Sequence, residues 1–177
     1  MNEKTVPEFK NKNLRLAIAQ AINKKGYVKT VLNDGSLASN NFTGIGTAKT
    51  PDGKDFASTV ESPLKYNPKV AKQNWEKAKK ELGKKEFAFT MNTQDTPAAK
   101  IAAEYIKSQI ESNLPGVTLK IKQMPFKQKT TLELANNYEA TYSGWSPDYP
   151  DPTAFLETMT KDLSLIHISE PTRLLSI

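Results

Sequence analysis

The residues best suited to chemistry lie in one run, Ser143-Gly144-Trp145-Ser146-Pro147-Asp148-Tyr149-Pro150-Asp151-Pro152. Its three prolines each fix φ and remove a backbone donor, which makes a stiff loop. Gly144 lets a second backbone approach, because no side chain stands in the way. A stiff loop that offers a carboxylate beside an indole ring suits a ligand with a cationic end and a bulky apolar part. An ammonium group buried alone would cost several kcal/mol, and a charge-assisted hydrogen bond is roughly twice as strong as a neutral one. The run holds two carboxylates, Asp148 and Asp151, that could meet such a charge. Loop chemistry alone equally admits Asp148 as a turn residue after Pro147. Asp151 reads as a helix N-cap ahead of Pro152 at the first helical position.

Catalytic readings find little support. Asp148 and Asp151 could form a carboxylate pair of the kind that cleaves glycosides. No second group assists them: the chain has no cysteine, its one histidine is His167, and Ser146 has no base nearby in the sequence. Binding without bond breaking needs no nucleophile, metal or cofactor, and none is expected.

The elements that must hold this loop are legible from periodicity and caps. Asn11 or Asn13 caps a helix with Leu14, Ile18, Ala21 and Ile22 on one face. Gly26 interrupts it, and Tyr27–Leu32 forms a second helical segment that stops at Asn33-Asp34-Gly35. Residues 41–66 are rich in loop formers. Asn67-Pro68 opens a helix with Ala71, Trp75, Ala78 and Leu82 on its apolar face and Gly83 as its stop, so Trp75 belongs to the core. Residues 86–91 alternate as a strand. Thr96-Pro97 opens a helix through Ile110 with Ile101, Ala102, Tyr105 and Ile106 as its buried stripe. Val117–Ile121 is a second strand after the turn at Pro115-Gly116. Phe126–Ala135 is helical, Asn136-Asn137 turns the chain, and Tyr138–Tyr142 is a third strand. Strand, helix, strand, helix, strand is the order of an α/β layer with right-handed crossovers. The Gly144 loop leaves the third strand at its carboxyl end, where open α/β sheets bind ligands.

The pattern Gly144-Trp145-x-x-Asp148-Tyr149-x-Asp151-Pro152, followed by Phe155-Leu156-x-x-Met159, resembles oligopeptide-binding proteins. These are the extracytoplasmic receptors of peptide-importing ABC transporters, solute-binding family 5. The helix Asn13–Asn23 and the stretch Val28–Gly35 are similar to further motifs of that family in the same order, so the likeness runs from about Phe9 to Asp162.

The resemblance implies an α/β fold: one lobe of a two-lobed periplasmic-binding-protein-like receptor, with a mixed sheet flanked by helices. It implies an extended oligopeptide ligand whose α-amino group pairs with Asp148. Ser143, Gly144, Trp145 and Ser146 would supply main-chain hydrogen bonds, as in strand addition, and Trp145 and Phe126 would line side-chain pockets. Some members carry an arginine for the ligand carboxylate where this chain has Tyr142, so recognition of the ligand's C-terminus departs from the pattern. Relatives of the same fold carry dipeptides, signalling peptides or metal and haem chelates. The implied partner is a membrane permease, the implied state a monomer. The implied location is extracytoplasmic, either periplasmic or held at the cell surface as a lipoprotein.

Composition sets further bounds. The 177 residues carry a formal net charge of +6. The basic excess includes Lys77, Lys79, Lys80, Lys84, Lys85, Lys120, Lys122, Lys127 and Lys129. These read as solvated helix and strand faces. No nucleic-acid motif accompanies them, so no nucleic-acid partner is expected. No run reaches the roughly 20 apolar residues of a membrane span. Residues 163–177, beginning Leu163-Ser164-Leu165-Ile166-His167, resemble translated sequencing-adapter DNA and are set apart as a non-native tail. Residues 1–162 are expected to form the C-terminal α/β lobe fragment of a peptide-binding protein.

Overall fold

The computed structural model describes residues 1–59, 61–144 and 151. The clearest helix, α4 (Pro68–Leu82), starts where Asn67 and Pro68 stand side by side. The Asn67 side chain accepts from the Val70 N–H and proline takes the first turn, where its missing donor is harmless. Gly83 ends the helix at φ 64°, a left-handed conformation that only glycine adopts without strain. Ala71, Trp75 and Ala78 face inward against α1 (Lys12–Ala21). Of the two candidate caps for α1, Asn11 is the one used, accepting from the Leu14 N–H at 2.9 Å. Asn13 instead donates to Glu81 at 2.8 Å. Leu14, Ile18, Ala21 and Ile22 are all buried, as their spacing predicts.

Gly26 does not interrupt the helix as expected. The break falls at Ile22, which is extended, and Asn23 restarts the chain as α2 (Lys24–Tyr27) by accepting from the Gly26 N–H. Glycine is needed at position 26 for space: a Cβ there would stand 2.5 Å from the Tyr105 hydroxyl. A wider π turn, Val28–Leu32, follows and stops at Asn33 with φ 48°. The long connection after it holds one short helix, α3 (Phe56–Thr59), and an isolated bridge between Lys49 and Asp55.

The sheet has strands β1 (Phe87–Gln94), β2 (Val117–Met124) and β3 (Ala140–Thr141) in the order β2-β1-β3. A mixed sheet was the expectation; the pairings within the described sheet are all parallel. Parallel neighbours require crossovers, supplied by α5 (Pro97–Asn113) and α6 (Phe126–Leu134). The third strand is shorter than Tyr138–Tyr142. Its ladder covers two residues, and the Tyr142 N–H extends the contact by donating to the Asn92 carbonyl at 2.9 Å. Central β1 buries Phe87, Phe89 and Met91 on one face and Asn92 and Thr93 at its far end. The Phe9 ring meets Phe87 and Phe89 edge-on at centroid distances of 5.5 and 5.3 Å, a favoured aromatic geometry.

Two expectations need correction. Ile101 is 55% exposed. The face of α5 turned inward is Ala102, Ala103 and Ile110, with Ile106 partly covered; its small alanines let the helix lie close to its neighbours. Lys129, read as part of a solvated basic face, is 2% exposed and is the buried residue of α6.

Trp75 is fully buried, and its indole N–H donates to the Pro115 carbonyl at 2.8 Å, tying α4 to the turn before β2. Trp75→Ala removes the largest fully buried side chain among the described residues and should lower stability by about 3–5 kcal/mol, read from the urea midpoint.

Candidate functional site

Beyond Gln94, the last residue of β1, Asp95 donates its N–H to the Met124 carbonyl at 3.0 Å. Thr96 then caps α5 by accepting from the Ala99 N–H. Opposite, Tyr142, Ser143 and Gly144 carry the chain away from β3. Between these two carboxyl ends lies a cavity of about 330 Å³. The π turn closes its third side with Val31 and Leu32, and Tyr27 of α2 lines it beside them. The chain topology predicts a crevice at this place in an open parallel sheet.

Tyr142 is held on two sides. Its N–H pairs with β1, and its hydroxyl lies 2.5 Å from that of Tyr27. Tyr27 in turn packs edge-on against Tyr105, 5.6 Å between ring centroids. Burial and the bond to Tyr142 push the Tyr27 phenol well above its ordinary pKa, so the Tyr27 hydroxyl stays protonated and neutral at physiological pH. Apart from its chain neighbours, no described atom lies within 4 Å of where a Cβ on Gly144 would stand, so the backbone there is uncrowded.

Ser143 is held by charge. The Lys129 ammonium lies 2.7 Å from Glu133 Oε1, one helical turn along α6, and donates to Ser143 Oγ at 2.5 Å. Ser143 Oγ donates onward to the same Glu133 oxygen at 2.8 Å, and the Thr141 hydroxyl donates to it as well. Three donors from α6, β3 and the loop therefore converge on one carboxylate oxygen. Burial pushes the Glu133 carboxyl up. The bonds from Lys129, Thr141 and Ser143, together with the lysine charge, outweigh burial and hold it below the usual glutamate range.

Of the residues singled out in the sequence, Tyr142, Ser143 and Gly144 come together on this cavity. Phe126 is 64% exposed at the start of α6 and does not line it. Trp145, Ser146 and Asp148 lie outside the described residues. Asp151 is exposed. Sequence reasoning missed Tyr27, Gln94 and the Lys129–Glu133 pair. The four-residue spacing of that pair was the available signal, but a charged pair at such spacing gives no sign of which way it faces.

A family model described as "Bacterial extracellular solute-binding proteins, family 5 Middle" matches residues 1–164. The dipeptide-binding protein of Lactococcus lactis subsp. cremoris is 35% identical over 151 residues, which is 85% of this chain and 27% of that protein. The substrate-binding domain of an oligopeptide ABC transporter from Bacillus anthracis superposes with a TM-score of 0.82 at 46% identity, over 89% of this chain and 30% of that one. Listeria monocytogenes OppA bound to peptide gives a TM-score of 0.83 at 37% identity, over 89% and 31%. This chain spans less than a third of the length of each of these relatives.

The low Glu133 pKa makes a pH prediction. Folding favours the ionised carboxylate, so its stabilisation is present above the ordinary glutamate value of about 4.3. It fades as pH falls through the lower folded value. Glu133→Gln abolishes this contribution. Melting temperatures of wild type and variant should therefore differ at about pH 6 and converge towards about pH 3.

Proposed function

The chain belongs to the bacterial extracellular solute-binding proteins of family 5, and we propose that it is a lobe of a peptide receptor serving an ABC-type importer. Residues 1–162 form the C-terminal α/β lobe of that longer protein, and residues 163–177 are a non-native tail. The receptor works outside the cytoplasm and hands its cargo to a membrane permease. Its ligand is an extended oligopeptide. Backbone groups of Ser143, Gly144, Trp145 and Ser146 pair with the ligand's main chain, which gives affinity without demanding particular side chains. Asp148 neutralises the ligand's α-amino group and sets its register.

One observation carries this reading: Tyr142, Ser143 and Gly144, which precede Trp145–Asp148 in the sequence, wall a cavity at the carboxyl ends of two parallel strands. The solved relatives titled as an oligopeptide transporter's substrate-binding domain and as OppA bound to peptide support it. A family of solute-binding proteins leaves no role for Asp148 and Asp151 as a hydrolytic pair. Among the described residues no helix is long and apolar enough to cross a membrane.

A shorter ligand is the second reading. It is favoured by the Lactococcus relative, whose name is dipeptide-binding protein. Calorimetry on the full-length receptor with dialanine, trialanine and tetra-alanine would separate the two by the length at which affinity peaks.

Asp148→Asn in the full-length receptor should weaken binding of free-amine peptides by about 2 kcal/mol or more. N-acetylation of the peptide should do comparable damage to wild-type binding. An affinity within about twofold of wild type, under ~0.5 kcal/mol, would remove Asp148 from the assigned role.

A further inference from the structure

We propose that Lys129 and Glu133 are positioning residues for the ligand-binding stretch: their pair, buried at the lysine and partly buried at the glutamate, fixes the Ser143 hydroxyl, and through it the backbone at Ser143–Gly144 that the ligand pairs with. The inference rests on the peptide-receptor reading above for its functional consequence, but its structural half stands apart from that reading.

The composition of α6 is the first ground. A crossover helix ordinarily docks on its sheet through an apolar stripe. Here the buried residue of α6 is a lysine, while Leu134 is 52% exposed and Phe126 points away. A buried ion pair is often no more stabilising than well-packed apolar residues of similar volume. Stability alone therefore gives little reason for a lysine at this place.

Geometry supplies the second ground. An apolar side chain has no preferred partner atom. The ammonium has two, Glu133 Oε1 at 2.7 Å and Ser143 Oγ at 2.5 Å, and these two are bonded to each other at 2.8 Å. The triangle fixes the Ser143 side chain in direction as well as in place. Thr141 donates to the same oxygen from the preceding strand, so two residues flanking Tyr142 are bound to one carboxylate. Tyr142 itself is pinned on the opposite side by Tyr27 and Asn92. The lead-in to the loop is thus fixed from two directions before Gly144. Hydrogen bonds to an extended ligand are steep in distance and angle, so a small loosening here should be felt as lost affinity.

The test compares the full-length wild-type receptor with Lys129→Met combined with Glu133→Gln. This double change leaves no unpaired buried charge and keeps a side-chain oxygen for Thr141 and Ser143. The single variant Lys129→Met accompanies it. Three quantities are read: the thermal midpoint, hydrogen exchange at the Tyr142 amide, which donates to Asn92 between the two anchored residues, and calorimetric affinity for trialanine and tetra-alanine. We expect the double variant to melt within about 4 °C of wild type, to exchange the Tyr142 amide at least tenfold faster with the rest of the sheet unchanged, and to bind at least tenfold more weakly. Unchanged exchange at this amide overturns the proposal, whatever happens to affinity. Faster exchange with unaltered affinity also overturns it. Faster local exchange in a receptor whose wild type binds neither peptide upholds the anchoring and sinks the peptide reading instead. Should Lys129→Met alone fail to fold, the double variant still decides.

Discussion

Everything in this lobe depends on β1 being paired in parallel on both sides. Parallel pairing forbids a tight hairpin, so each neighbour must be reached by a helix that crosses back over the sheet. That obligation accounts for α5 and α6. It also sends the carboxyl ends of β1 and β3 to the same rim. The first end delivers Gln94 and the capped start of α5; the second delivers Tyr142, Ser143 and Gly144. The cavity between them is therefore a product of connectivity. The aromatic contact of Phe9 with Phe87 and Phe89, and the packing of Trp75 under the turn at Pro115, keep the strand where this requires.

The two attachments of this sheet to its surroundings differ in emphasis. α5 lies against its neighbours through Ala102, Ala103 and Ile110, with one directional tie to the sheet where Glu111 Oε1 accepts from the Leu119 N–H at 3.0 Å. α6 is joined through an ammonium, a carboxylate and two hydroxyls whose bonds have definite directions. The first arrangement supplies burial, the dominant favourable term in folding. The second supplies orientation, at the edge where a ligand would meet the protein. The Tyr27–Tyr142 contact belongs to the second kind, since a bond between two hydroxyls has a definite direction.

Much of this architecture was legible in the chain because local chemistry decides it. Asn67-Pro68 and Gly83 mark α4 to the residue, and alternation marks β1 and β2, since caps and pleats depend on near neighbours alone. What was misread depends on distant ones. Gly26 looked like a break because glycine usually weakens a helix; only the Tyr105 hydroxyl, from a helix far along the chain, explains it. Ile101 looked buried because four apolar residues fitted a stripe, yet α5 turned its alanines inward. Lys129 looked solvated because lysine usually is, and nothing near it in sequence announces Ser143 as a partner. Of the candidate site, Tyr142, Ser143 and Gly144 were named through the family resemblance of the run around Gly144-Trp145, with which their place after a strand agreed. Tyr27 and Gln94 come from separate elements that only the fold brings to the same crevice.

The position of β2 has a consequence for how this lobe behaves in company. Among the described strands it is an outer one, eight residues long, with one side unclaimed by the sheet. Such a margin is a template on which another molecule could lay its own backbone and begin an aggregate. Lys120 and Lys122 stand exposed along it. Two strands of like charge brought together there would repel, which disfavours the pairing of one copy with another along β2.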